Sequence, residues 1–337
     1  MHKYFISSPH RHDGSSVRHL MLSVCFALIP GLLTYIWFFG WGIVIQCLLA
    51  VGFALAAEYL ALRLRKRPVT FFLKDGSAVL TGLLFALSIS PFSPWYISFF
   101  GILVAILFAK HIYGGLGQNL FNPAMVGYVF VLLCFPADMT NWPLTITQPP
   151  AISTYFTYIF TTPENLIDGI SGATALDQMK TQLGSMGMVS EIKLEPAFGQ
   201  YGGAGWEWIA CAYLFGGLAL TILGLIRWHI PVAVLLAIFL FSLFFHLYDS
   251  DIYPSPLFHI FSGGTILCAF FIATDPVSAS TSAKGKILYG GLIGVLCFSI
   301  RTWGSYPDGI AFAILVANAC VPLIDHYTRP RVLGEFK

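Results

Sequence analysis

Residues 20–39 read LMLSVCFALIPGLLTYIWFF, and this run contains no Asp, Glu, Lys or Arg. After Gly40-Trp41-Gly42, a second apolar run follows at residues 43–62, IVIQCLLAVGFALAAEYLAL, with a single acid, Glu58. A helix needs about 20 apolar residues to cross about 30 Å of hydrocarbon. Both runs therefore predict transmembrane helices. The first run is full length and passes almost directly into the second, so we expect it to be retained rather than cleaved as a secretory signal.

The composition of the whole chain indicates the same class. Of 337 residues, 57 % are hydrophobic and 10 % are charged, against roughly 45–50 % and 25 % in soluble domains, and the mean hydropathy is +0.76. A water-soluble fold cannot bury this much apolar surface. The net charge of +2 predicts no nucleic-acid partner. The seven cysteines lie in apolar runs without CxxC spacing, so we predict no metal site.

Ten apolar runs are candidates for membrane spans, six of full length and four shorter or interrupted. In chain order they cover residues 20–39, 43–62, 78–89, 96–113, 119–135, 206–226, 230–247, 257–274, 287–300 and 310–324. The sequence thus predicts an all-α integral membrane protein with ten transmembrane helices.

The positions of Lys and Arg predict the orientation. With the N terminus in the cytoplasm, ten spans leave only Lys180, Lys193 and Arg301 of the eighteen basic residues outside. Cytoplasmic loops are enriched in Lys and Arg. We therefore expect a multi-pass membrane protein with both terminal segments, residues 1–19 and 327–337, in the cytoplasm.

The two halves of the chain, residues 20–136 and 206–326, have a similar order of elements. Each has two long spans, a short span that ends near Pro91 or Pro276, a further span, a Gly-rich turn and a final span. Five spans per half predict two inverted five-helix repeats, and short interrupted helices point to a site at the repeat interface. The alternative is that ten apolar runs resemble one another by composition alone. Residues 137–205, between the halves, predict an external folded lobe on the periplasmic side.

This external stretch contains the motif Asp168-Gly169-Ile170-Ser171-Gly172-Ala173-Thr174. The Ser-Gly-Ala-Thr run leaves a hydroxyl on backbone with little side-chain bulk, so a modifying enzyme can reach it and an attached phosphate can contact backbone N–H groups. Asp168 could orient the hydroxyl or hold a metal ion during modification. The alternative is a flexible loop of small residues.

The motif resembles the flavin-attachment sequence of one family of membrane proteins, found in the Rnf ion-translocating oxidoreductase and in the sodium-translocating NADH:quinone reductase. Four further stretches are similar to the same family, at residues 74–78 (KDGSA), 114–124 (GGLGQNLFNPA), 273–278 (ATDPVS) and 306–309 (YPDG). The resemblance extends over nearly the whole chain. The quinone-reductase member carries a longer N-terminal extension than this sequence, so the Rnf member is the closer match and the other the alternative.

The resemblance implies a flavoprotein subunit that relays electrons in a ferredoxin:NAD oxidoreductase complex, coupled to Na⁺ or H⁺ movement, and that is not catalytic alone. FMN would be joined to Thr174 through a phosphoester made by a flavin transferase, with Asp168, Ser171, Gly172 and Ala173 around it. A second, non-covalent riboflavin is implied. The implied partners are the other subunits of the complex, among them a second flavoprotein that faces the periplasm. Ten helices in two inverted repeats and a place in the bacterial inner (plasma) membrane are implied as well.

The Gly-rich turn at residues 114–124 holds Asn119 and Asn122. Non-helical backbone at membrane depth is tolerated only where it lines a cavity or is buried in protein. The two amides could bind the edge of a flavin or an ion, while the alternative is helix packing and capping.

The acids near the predicted spans are Glu58, Asp75, Asp275 and Asp308, and the first three are the candidates for an ion path. Carboxylates within membrane segments are functional candidates by default. Asp75 and Asp275 lie at the ends of short spans, where capping is the alternative. Glu58 lies about one turn from the basic run that starts at Arg63, so snorkelling to an ion pair is expected. For the whole chain, the alternative function is a solute channel or transporter with inverted repeats, since a fold does not fix a function.

Overall fold

The computed structural model describes residues 17–143, 150–161 and 171–329. Within these ranges the chain is mostly helical with one two-stranded antiparallel sheet, which confirms the predicted helical class. The first half consists of α1 Val17–Ala27, α2 Ile29–Phe39, α3 Gly42–Leu64, α4 Val69–Leu73, α5 Ser77–Ala86, α6 Trp95–Leu103 with a π-helix over Val104–His111, and α7 Pro123–Cys134.

The segment between the halves, which we call the external segment after its predicted position, and the second half complete the described chain. The external segment comprises α8 Pro136–Thr140, β1 Trp142–Pro143, α9 Ile152–Thr161, β2 Ser171–Gly172, α10 Ala175–Gly184 and α11 Val189–Ile192. The second half comprises α12 Trp206–Ile222, α13 His229–Tyr248, α14 Pro256–Phe261, α15 Thr265–Leu267 with a π-helix over Cys268–Ile272, α16 Ala283–Trp303 and α17 Ile310–Thr328.

Five helical stretches of the described chain are long and apolar enough to cross a membrane by themselves. They are Val17–Phe39 (α1 with α2), α3, α13, α16 and α17. Helices α5, α7 and α12 and the stretch Trp95–His111 are apolar but have only 10 to 17 residues. The eighth predicted span is divided into α14, α15 and a π-helix. The fold is that of a multi-pass membrane protein, while the number of ten crossings stays a prediction.

The fifth predicted span begins later than its apolar run, at Pro123 instead of Asn119. The Asn122 Oδ1 accepts a hydrogen bond from Met125 N at 3.3 Å and so caps α7. Proline suits the first helical position because the N–H that it lacks would have no partner there. Residues 119–122 are therefore a non-helical turn.

The eighth predicted span is interrupted at residues 262–264. Gly263 has a φ of +62°, and a Cβ at this position would lie 2.6 Å from both the Asp308 Oδ2 and the Leu176 Cδ1. Only glycine adopts this conformation readily and leaves this space. The loop before α17 and the start of α10 therefore both reach the break in the helix.

The two halves contact each other through helices in matching chain positions. Helices α1 and α2 pack on α12, and α7 packs on α17. Within the halves, α3 packs on α5 and α6, as α13 packs on α14 and α16. A Cβ at Gly216 of α12 would lie 2.0 Å from Ala27 O, so this glycine permits the close approach of the halves.

The external segment is held to the helical body at two places. The Tyr155 hydroxyl of α9 donates a hydrogen bond to Phe39 O at 2.6 Å, and its ring stacks on Phe92. Helices α10 and α11 share an apolar cluster with α14, formed by Leu176, Met179, Val189, Ile192 and Phe258.

The orientation can be tested at Gly184, the last residue of α10. Gly184 is exposed, and an added Cβ would meet nothing within 4 Å, so a cysteine fits there. In a background in which the exposed Cys134 and Cys211 are replaced by alanine, Gly184→Cys should react with an impermeant maleimide once the outer membrane is permeabilised. Thr70→Cys, exposed in the segment predicted to be cytoplasmic, is the control and should react only after the inner membrane is opened. The reverse pattern would overturn the predicted orientation.

Candidate functional site

A cavity of about 320 Å³, which we call the outer cavity, lies between the two halves and the external segment. Its walls are mainly apolar and come from α2, α7, α12, α15 and α17, from the start of α10 and from the loop before α17. Residues that line it include Tyr35, Tyr128, Trp142, Thr174, Asp177, Trp206, Tyr213, Ser262 and Asp308.

Thr174 lines the outer cavity at the start of α10. Its backbone is extended (φ −66°, ψ 158°), and its Oγ1 accepts a hydrogen bond from Asp177 N at 3.3 Å, which makes Thr174 the N-cap of α10. The first N–H groups of a helix have no partners within it and carry partial positive charge. A phosphate on Thr174 Oγ1 would lie beside these groups, an arrangement that favours phosphate binding.

Of the motif residues before Thr174, the structure describes Ser171, Gly172 and Ala173. Ser171 and Gly172 form β2, which pairs with β1, and Ala173 connects β2 to α10. None of these three residues lines the outer cavity, so the structure distinguishes Thr174 from Ser171. Asp168 lies outside the described residues.

Lys180 fixes α10 to the helical body. Its Nζ donates hydrogen bonds to the carbonyl oxygens of Ile300, Arg301 and Tyr306 at 3.2, 3.1 and 2.7 Å. Arg301 lies in the last turn of α16, where carbonyl groups lack partners within the helix, and a cation also suits the negative end of the helix dipole. Burial lowers the pKa of Lys180, and the carboxylate of Asp177, whose own pKa burial raises, partly offsets that shift. The lysine thus sets the position of α10 relative to the outer cavity.

The outer cavity combines aromatic walls with hydroxyl groups that lack partners. The Trp206 ring contacts those of Tyr35 and Trp142 edge to face, with centroids 5.7 and 5.3 Å apart. The hydroxyls of Tyr35, Tyr213 and Ser262 are buried and have no hydrogen-bond partner among the described residues. Such a group costs roughly 1–3 kcal/mol. The lining of the outer cavity thus has aromatic rings and three hydroxyl groups without partners in the described chain.

A smaller pocket of about 70 Å³, which we call the inner pocket, lies near the starts of α1, α5 and α7. Lys110, Asn119, Asn122 and Asp275 line it. The Asn119 Nδ2 donates to a nearby backbone carbonyl at 3.0 Å, whereas its Oδ1 is buried without a partner in the described chain. Asn122, besides capping α7, donates to Ile272 O at 3.3 Å. Capping therefore accounts for Asn122 and leaves the Asn119 oxygen unexplained.

Glu58 forms a buried ion pair, but not with the run that starts at Arg63. The Lys110 Nζ donates to Glu58 Oε2 at 2.8 Å, and the His111 Nε2 lies 3.1 Å from the same oxygen. Glu58 and Lys110 are each 2 % exposed. The expected partner was wrong because the π-helix after α6 turns Lys110, counted with the cytoplasmic cations, into the protein.

Lys110 also connects Glu58 to Asp75. Its Nζ donates to the Ser77 Oγ at 2.8 Å, and that hydroxyl donates to the Asp75 Oδ1 at 2.6 Å. The Asp75 Oδ1 accepts the Ser77 N–H as well, at 2.7 Å, which is the capping role that we considered. Asp275 Oδ2 accepts in the same way from the N–H and hydroxyl of a serine three residues later, at 3.2 and 2.6 Å. Asp75 thus caps a helix and also belongs to a continuous hydrogen-bonded chain.

Arg301, which the charge count left outside, is buried near the end of α16. It is 5 % exposed, and its Nη2 lies 3.0 Å from the Asp308 Oδ1. Sequence reasoning missed this pair. The available signal was a lone arginine at the end of an apolar run, followed seven residues later by an aspartate.

The Glu58–Lys110 pair gives a prediction for stability. Glu58→Gln leaves the Lys110 ammonium buried without a countercharge, so the free energy of unfolding should fall by about 3–5 kcal/mol, measured by thermal unfolding in detergent. Lys110→Met should also destabilise the protein. The double variant buries no unpaired charge and should recover most of the loss. If its loss equals the sum of the two single losses, the residues do not act as a pair.

Comparison with known proteins gives a consistent result. A family model described as the NQR2, RnfD, RnfE family matches residues 4–334. The D subunit of the ion-translocating oxidoreductase complex of Aliivibrio salmonicida is 47 % identical over 347 aligned positions, which cover 99 % of each chain. The same subunit from Escherichia fergusonii is 49 % identical over 345 positions, 98 % of each chain. That of Shewanella piezotolerans is 48 % identical over 341 positions, 98 % of this chain and 97 % of the relative. The chain belongs to the NQR2, RnfD, RnfE family, as the resemblance of its motifs predicted.

Proposed function

We propose that this chain is the RnfD-type component of an ion-translocating oxidoreductase complex and relays electrons through FMN joined to Thr174. Relatives of nearly equal length are named as the D subunit of such a complex. The single observation that carries the flavin assignment is the position of Thr174, which is among the residues that line the outer cavity, whereas Ser171 is not. A component of this kind provides one stage of a longer electron path and does not catalyse a reaction alone.

The residues of the outer cavity fit a flavin. The volume of about 320 Å³ lies at the lower end of the roughly 300–1,000 Å³ typical of cofactor sites. Trp206 and Tyr35 offer aromatic surface, and the Tyr213 and Ser262 hydroxyls, without partners among the described residues, suit the nitrogen and carbonyl groups of an isoalloxazine ring. The phosphate on Thr174 would have the N terminus of α10 beside it.

Bound FMN would supply the ability to accept and release electrons. The chain would position the ring and keep bulk water from it. Thr174 is half-buried, which supports access by a flavin transferase before the ring enters the cavity. Electrons would arrive from and leave to other subunits, among them a second flavoprotein that faces the periplasm.

We further propose ten crossings of the bacterial inner membrane, two inverted five-helix repeats and cytoplasmic termini. Nine apolar helical stretches in the described chain, with the broken α14–α15 stretch as a tenth, support the number. The same packing order in both halves supports the repeats. Each half also has a buried cation near the end of its fourth stretch, Lys110 in one and Arg301 in the other. The distribution of basic residues supports the orientation.

For ion movement we propose a path past Glu58, Asp75 and Asp275. The hydrogen-bonded chain from Asp75 through Ser77 and Lys110 to Glu58 supports it. Asp275 and Lys110 also line the same inner pocket. A carboxylate path of this kind suits either Na⁺ or H⁺.

Asn119 and Asn122 are the proposed contacts of a second, non-covalent flavin at the inner pocket. The buried Asn119 Oδ1, without a partner among the described residues, supports a ligand there. The pocket of about 70 Å³ is well below the roughly 300 Å³ of the smallest cofactor sites, so the surrounding helices would have to separate to admit the ring.

The attachment site can be tested by substitution. Thr174→Ala should insert into the membrane normally, because the apolar helices are unchanged, but should carry no covalent FMN by intact mass or by fluorescence in a denaturing gel. Electron flow through the assembled complex should fail. Ser171→Ala is the matched control and should retain flavin, since Ser171 does not line the cavity.

Covalent flavin on Thr174→Ala would refute the attachment site. A parent chain that never carries covalent flavin would favour the alternative of a solute channel, which has no use for one.

The ion path predicts a different phenotype. Asp275→Asn should block or uncouple ion movement in proteoliposomes that contain the complex, while flavin per chain stays at the parent level, because Asp275 lines the inner pocket and not the outer cavity. Asp251→Asn, at an exposed carboxylate, is the control and should translocate normally. If Asp275→Asn translocates ions at the parent level, Asp275 is not part of the ion path and only accepts the hydrogen bonds from Ser278.

A further inference from the structure

The Asp308 carboxylate has one occupied oxygen and one that is nearly free. Its Oδ1 accepts hydrogen bonds from the Arg301 Nη2 and Nε at 3.0 and 3.3 Å and from Ile310 N at 3.3 Å. Its Oδ2 has only one long bond in the described chain, from Gly264 N at 3.4 Å. One acceptor therefore remains available to a ligand.

The ion pair is oriented with respect to the outer cavity. Asp308 lines the cavity and Arg301 does not, and the two side chains are 27 % and 2 % exposed. The negative end of the pair consequently faces the cavity, and the positive end lies within the protein.

The pair is also fixed in place. The Arg301 Nη1 donates to His259 O at 2.7 Å and the Nη2 to Ser262 O at 3.5 Å, so the guanidinium is attached to backbone at the break after α14. Charges held in this way act more strongly in a low-dielectric site than in water. They also need no reorganisation when charge develops next to them.

We infer that the Asp308–Arg301 pair lowers the reduction potential of a flavin held in the outer cavity, an inference that rests on the proposed FMN at Thr174. Two electrons from a reduced redox partner and one proton from water convert the oxidised ring into its anionic two-electron-reduced form. The negative end of the pair opposes the charge that reduction adds, because a like charge disfavours an ionised group. The pair acts through charge and takes part in no covalent step.

Potentiometric titration of the full-length, flavin-loaded chain in detergent tests the inference. Asp308→Asn removes the negative end and leaves the Arg301 cation, so the midpoint potential of the flavin should rise. The expected rise is at least about 29.6 mV, which corresponds to a tenfold change in the two-electron equilibrium constant. Arg301→Gln leaves the carboxylate alone and should lower the potential. The double variant should lie between the two. Asp308→Glu keeps the charge and should stay close to the parent.

Shifts of opposite sign in Asp308→Asn and Arg301→Gln support the inference, whereas shifts of the same sign, or none, overturn it. If Arg301→Gln does not fold, Asp308→Asn against Asp308→Glu decides: only the amide should raise the potential. The intact mass of the chain distinguishes failure of the proposed function from failure of the role of the ion pair. A parent chain without FMN on Thr174 refutes the proposed function, while a loaded chain whose potential does not move refutes only the role of the pair.

Discussion

Buried backbone polar groups need hydrogen-bond partners, and side chains supply them at residues 262–264, where the helical stretch of α14 and α15 is broken. The His259 carbonyl accepts hydrogen bonds from the Arg301 Nη1 at 2.7 Å and from the Thr265 Oγ1 at 2.8 Å. Gly264 N donates to the Asp308 Oδ2. Side chains of Arg301, Thr265 and Asp308 thus replace hydrogen bonds that a continuous helix would make, and the outer cavity borders the break that they stabilise.

The end of α16 links this break to the external segment. The Arg301 side chain satisfies the backbone of the broken stretch, while the Arg301 carbonyl accepts a hydrogen bond from Lys180 of α10 at 3.1 Å. Because Thr174 is the N-cap of α10, its distance from the cavity depends on the same end of the same helix. The end of α16 therefore both stabilises the broken helix and positions the attachment residue.

The sequence predicted what depends on local composition and missed what depends on distant contacts. Long apolar runs such as α3 and α13 were predicted nearly to their ends, since about 20 apolar residues suffice to identify a membrane helix. The motif singled out Thr174, but its position on a cavity depends on Lys180 reaching Ile300, 120 residues away. Likewise, a count of basic residues treats Arg301 as a solvated charge, because the acid that neutralises it is visible only in the fold.

The central claim is that the outer cavity holds the ring of a flavin attached to Thr174. The most direct measurement is a density map of the flavin-loaded complex at a resolution that shows side chains. We expect density that is continuous with the Thr174 Oγ1, enters the cavity and ends among Tyr35, Tyr213 and Asp308. A ring bound outside the cavity, on the surface of the external segment, or attached to Ser171 would contradict it.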